Sequence, residues 1–98
     1  MIFNWFNSKD ADKFGTDMAQ FFIQRMPLDS DKSSKKFAAK TQDILSKMEL
    51  QIMQFKSKFK LNIYTKAKLA NRFKWTLKDA GFNTAYVDEL TEWLVKRL

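Results

Sequence analysis

Lys68, Asn71, Arg72, Trp75 and Lys78 recur at intervals of three and four residues, with Lys74 at their side. On an α-helix this spacing gathers them on one face. An indole set among ammonium and guanidinium groups can stack on a base while the cations meet phosphates. Lys36, Lys40, Lys47 and Lys58, preceded by Lys32, form a lysine stripe on a second helical stretch and extend the anionic-partner surface. A plainer reading stands beside this one. Trp75 packs beneath the N-terminal aromatic segment or against another subunit, and the lysines only solvate a surface.

Other chemistry finds little material. The chain has no His and no Cys. Histidine acid–base catalysis, thiolate metal sites and disulfides are therefore excluded together. A catalytic centre would have to use paired carboxylates or a buried lysine, and neither pattern is visible. No phosphate-cradling glycine loop or nucleophile elbow occurs. Asp29, Asp31 and Ser33 match the opening of a calcium loop. However, Ser34 stands where the loop requires glycine, and Lys40 where it requires a bidentate glutamate. Capping of the next helix by Ser30 or Asp31 is the better use of these residues. The expectation is a non-catalytic protein without metal or cofactor.

Charge is unevenly placed along the 98 residues, whose net charge is +7. Residues 32–78 carry thirteen Lys/Arg against Asp43 and Glu49 alone, whereas both ends are mildly acidic. Such asymmetry suits an anionic partner, or ends that fold back on the middle.

The elements that must position these residues are helical. Two Gly and one Pro are too few for an all-β chain, which needs turn residues every 8–12 positions. A composition 45% hydrophobic and 15% aromatic supports one folded domain over residues 1–98. A first helix is expected near 9–25, capped by Ser8, with Ala11, Phe14, Met18, Phe21, Phe22 and Arg25 on one face and Pro27 ending it. A long helix near 31–60 carries the stripe Phe37, Thr41, Ile44, Leu45, Met48, Ile52, Phe55 and Phe59. Asn62 to Tyr64 read as a connection, and Thr65 as the cap of a third helix near 66–80. That helix has its core face at Leu69, Phe73, Thr76, Leu77 and Ala80. Gly81 is placed for a left-handed C-terminal turn with Phe82 reaching back to Leu77. Asn83 or Thr84 caps a last helix near 84–97, with Val87, Leu90, Leu94 and Leu98 inward. The expected architecture is an all-α, four-helix bundle-like domain with one long central helix and a C-terminal helical hairpin. That hairpin also invites comparison with a helix-turn-helix. Its second helix exposes Asp88, Glu89 and Glu92, which repel phosphate, so a plain hairpin is the better reading.

Three features point to self-association. Thirty residues of helix measure about 45 Å, against about 33 Å for the diameter of a compact chain of this size. The helix must therefore kink, protrude or be covered by a second chain. Leu50 and Met53 fall opposite the core stripe, beside Ser46 and Ser57, as a second apolar face. Ile2, Phe3, Trp5 and Phe6 form an apolar N-terminal segment (1–7), which docks on the bundle, enters a neighbouring subunit or meets a lipid interface. A membrane surface fits least, because the helical stripe is core-like. No apolar run approaches a membrane span, and the first residues lack a basic region and a cleavage site. A cytoplasmic, non-catalytic helical interaction module that associates with itself or another protein is the leading expectation. Sequence-tolerant nucleic-acid binding by the basic third helix and the lysine stripe is the alternative.

Overall fold

A computed structural model describes residues 8–28 and 34–98. Four helices, α1 (Ser8–Arg25), α2 (Lys35–Lys58), α3 (Ile63–Asp79) and α4 (Thr84–Arg97), account for 85% of these residues, and no strand occurs among them. The all-α, four-helix reading is therefore correct. Ile2, Phe3, Trp5 and Phe6, expected as a subunit contact, and Ser30, Asp31 and Lys32, expected at the start of the long helix, lie outside the described residues.

Helix ends follow local chemistry, and three differ from expectation. α1 begins at Ser8 itself and ends before Pro27, with the Met26 N–H closing on Phe22 O at 3.0 Å. α2 begins at Lys35 and not near residue 31, because Ser34 is the cap: its Oγ accepts the Phe37 N–H at 3.0 Å. It stops at Lys58, where Phe59 turns to extended backbone. α3 begins three residues early. Asn62 Oδ1 accepts the Thr65 N–H at 2.8 Å, and Thr65 Oγ1 accepts the Asn62 N–H at 3.0 Å. This reciprocal pair is a capping box, so Thr65 is the third helical residue and not the cap. α3 ends as expected. Gly81, at φ +105°, donates to Lys78 O at 3.0 Å while Phe82 donates to Leu77 O at 3.3 Å, the Schellman arrangement. Asn83 caps α4 through the Tyr86 N–H.

The core consists of the expected stripes with one addition. Met18 and Phe22 of α1, Ile44, Met48 and Ile52 of α2, Leu69, Phe73 and Leu77 of α3, and Val87 and Leu94 of α4 are buried together. Arg25 is not among them. It is exposed, with its guanidinium 3.6 Å from the centre of the Phe21 ring. The addition is Gly15 and Ala19, which continue the expected Ala11 as a strip of small residues, all three buried at intervals of four. Small side chains let backbones approach, and α3 lies close at Gly15. A Cβ there would fall 2.5 Å from Leu69 O.

α1 and α4 stand between α2 and α3. Gly15 faces Leu69 and Phe73 of α3, while Phe14 stacks on Phe55 of α2 with centroids 4.0 Å apart. On the other side, α4 meets α2 through a Thr41–Tyr86 hydroxyl pair at 2.8 Å and through Lys56 Nζ donating to Arg97 O at 2.9 Å. Residues from 24-residue α2 span about 36 Å. The molecule extends 50 × 23 × 20 Å, and α2 is packed toward both of its ends, Phe37 against Tyr86 and Phe55 against Phe14. The expected mismatch between helix and domain disappears, because the helix is shorter and the domain is elongated.

Candidate nucleic-acid interface

The capping box determines what the outer face of α3 presents. By starting the helix at Ile63, it brings Tyr64 into register with Trp75, eleven residues and three turns away. At 100° per residue the two lie within about 20° of one another around the helix, roughly 16 Å apart along it. Both are well exposed, Tyr64 at 64% and Trp75 at 52%. The sequence reading placed Tyr64 in a loop and missed it. Its signal was Asn62 followed three residues later by Thr65, a weaker form of the capping-box pattern.

Between the two rings lie Ala67, Lys68, Asn71 and Arg72. With Asp12 of α1 they line an open groove of about 390 Å³. Lys74 and Lys78 stand 5.6 and 5.2 Å from the Trp75 ring, within the range of cation–π attraction. The face thus combines two aromatic platforms, an amide and several cations. Leu69, Phe73 and Leu77 hold the opposite face of α3 in the core, which fixes the orientation of this one.

Two of the cations have partners. Arg72 Nε lies 3.7 Å from Asp12 Oδ1, and Lys78 Nζ lies 3.6 Å from Asp88 Oδ1 of α4. Lys78 is also mostly covered, with its side chain 20% exposed. These are long, partly solvated pairs, worth little individually, and an incoming phosphate can compete for either cation.

The lysine stripe does not join this face. Lys36, Lys40, Lys47 and Lys58 are exposed on α2, beyond α1 and α4 from α3, and Lys47 is held by Asp43 at 3.1 Å. Leu50 and Met53 are likewise on α2 and exposed, at 62% and 61%. The structure therefore brings together Lys68, Asn71, Arg72, Trp75 and Lys78, adds Tyr64, and leaves the α2 residues on other faces.

A second depression of about 430 Å³ lies between α2 and α4, lined by Phe37, Thr41, Asn83, Tyr86 and Glu89 among others. Burial raises the Tyr86 phenol above its ordinary value near 10. The Thr41 hydrogen bond opposes this shift and the Glu89 charge adds to it. Among the described residues no cation lines this depression. Among the described residues no cluster of three acidic side chains could hold a metal ion, and no helix is long and apolar enough to cross a membrane.

Fold and site together define an all-α helical domain with an aromatic–cationic outer face. Compared with known proteins, the chain matches no family model, no curated protein and no solved structure.

Proposed function

We propose that this protein is a non-catalytic helical module that binds nucleic acid, tolerant of sequence, through the outer face of α3. The observation carrying this reading is the alignment of two exposed rings, Tyr64 and Trp75, on either side of Lys68, Asn71 and Arg72 in one groove. Every base has a π face, so stacking on such rings is indifferent to sequence, while the cations supply affinity for the backbone. The test compares three variants by fluorescence anisotropy with a short labelled oligonucleotide. Tyr64→Ala and Trp75→Ala should each remove a stacking contribution of about 1–3 kcal/mol and leave the salt dependence nearly unchanged. Arg72→Ala should flatten that dependence by about one contact. If Trp75→Ala melts the protein and Arg72→Ala does nothing to binding, Trp75 is structural and the reading fails.

Self-association is the second reading, and exposure of Leu50 and Met53 on one face of α2 supports it. Helix length no longer does. Two side chains are also a small part of the roughly 800 Å² per partner that a stable interface buries. Changing both residues to Glu should lower the solution mass while helicity survives, since unpaired charge is unfavourable at an apolar contact. A wild-type protein that is monomeric by light scattering at high concentration removes this reading.

A further inference from the structure

The basic face of α3 is a lane with a carboxylate on each side. Around the helix, Arg72 lies about 60° from Trp75 on the α1 flank, and Lys78 about 60° away on the α4 flank. Asp12 projects from α1 to Arg72 at 3.7 Å, and Asp88 projects from α4 to Lys78 at 3.6 Å. Down the middle run Tyr64, Lys68, Asn71 and Trp75. Asp79, exposed one turn beyond Trp75, closes the far end. Lys68, Arg72 and Lys78 therefore lie within one helix face with a carboxylate on each flank and a third at one end, and Lys74 stands further round on the Lys78 side.

We infer that Asp12 and Asp88 are specificity-determining residues that restrict this lane to single-stranded nucleic acid and turn duplexes away. The inference rests on the proposed nucleic-acid reading. A single strand sends one row of phosphates along the lane and has unpaired bases to lay on Tyr64 and Trp75. A duplex keeps its bases stacked inside. Laid along α3, it brings two phosphate rows, on either side of a groove about 6 or 12 Å wide, toward the flanks where the carboxylates stand. The rings stand about 16 Å apart along the helix, so the lane is a short site of a few nucleotides. Lys68, Arg72 and Lys78 remain cationic toward either ligand. What differs is the placement of repulsion.

Binding of the same labelled sequence as a single strand and as a duplex, at low salt, tests this in wild type, Asp12→Asn, Asp88→Asn and the double variant. Both positions are at least partly exposed, and the amide keeps the carboxylate's shape, so folding should persist; circular dichroism checks it. Wild type should prefer the single strand by about tenfold or more, given stacking contributions of roughly 1–3 kcal/mol per base. Each substitution should strengthen duplex binding by about threefold, the Coulomb effect of a unit charge roughly 6 Å from a phosphate in a water-like medium. The double variant should gain about tenfold on duplex and about twofold on single strand. Equal wild-type affinity for both forms, or equal gains on both, overturns the carboxylate role while leaving nucleic-acid binding in place. Vesicles containing phosphatidylserine form the last arm. Binding to them with no oligonucleotide binding overturns the lane and the proposed function together.

Discussion

Replacing Gly15 with alanine should destabilise the protein, although alanine is the better helix former by about 1 kcal/mol. The new Cβ would sit 2.5 Å from Leu69 O, 3.1 Å from Arg72 Cβ and 3.3 Å from Phe73 N. The nearest of these is a backbone atom within α3, so no side chain can swing away to relieve it. Ordinary C···O contacts begin near 3.3 Å, and the two helices must therefore part by roughly 0.8 Å. A gap of that size forfeits about a quarter to a half of each dispersion contact across the seam. Leu69 and Phe73, both at 0% exposure, lie in that seam. Overpacking of this kind costs about 1–3 kcal/mol. A contact with a backbone atom that cannot swing away puts the cost in the upper part of that range, so after the gain in helix propensity the net loss should be about 1–2 kcal/mol, or a Tm lower by roughly 4–16 °C. Urea denaturation followed at the helical circular dichroism band measures it, with the m-value expected to stay constant. A Gly15→Ala protein as stable as wild type, or more stable, would refute the close α1–α3 crossing and with it the placement of Asp12 beside Arg72.

Three further outcomes follow from single contacts. Asn62→Ala should cost about 1 kcal/mol by removing the capping box, measured by the same denaturation, and should fray the turn that carries Tyr64. Tyr86→Phe should cost about 1 kcal/mol by deleting the 2.8 Å hydroxyl pair with Thr41. Because burial raises the Tyr86 pKa, the native state holds this proton more tightly than the unfolded chain. Its contribution is complete below the ordinary value near 10 and is lost as pH rises through the native value, so wild type should lose more stability above pH 10 than Tyr86→Phe does.

How far the fold could be read in advance depended on which interactions were local. The stripes Ile44-Leu45-Met48-Ile52, Leu69-Phe73-Leu77 and Val87-Leu90-Leu94 emerged as core because helical spacing alone dictates a common face. Pro27 and Gly81 acted where expected, since each acts on its own backbone. The errors arose where several residues compete for one role. Ser30, Asp31 and Ser34 can all cap a helix, and spacing does not rank them; Ser34 is the cap. Asn62 and Thr65 share one motif, and reading Thr65 alone as the cap discarded a turn and its tyrosine. Gly15 was overlooked because a glycine inside a helix announces nothing until the neighbouring backbone is in place. For the site, Lys68, Asn71, Arg72, Trp75 and Lys78 were legible as one face from their intervals. The pairing of Arg72 with Asp12 and of Lys78 with Asp88 was not, because it depends on how α1 and α4 lie against α3. Nor was the separation of the α2 lysines from that face, which is likewise a property of helix packing.

The salt dependence of oligonucleotide binding by the wild-type protein bears most directly on the proposed function. The probe is a labelled thymidine single strand of about ten residues, long enough to cover the lane between Tyr64 and Trp75. Each phosphate neutralised on a single strand contributes about −0.7 to the slope of log K against log salt. Contacts from Lys68, Arg72 and Lys78 therefore give a slope of about −2. Tight binding at low salt that weakens with this slope is the expected result. Absence of binding at the lowest salt, where electrostatic attraction is least screened, would contradict it.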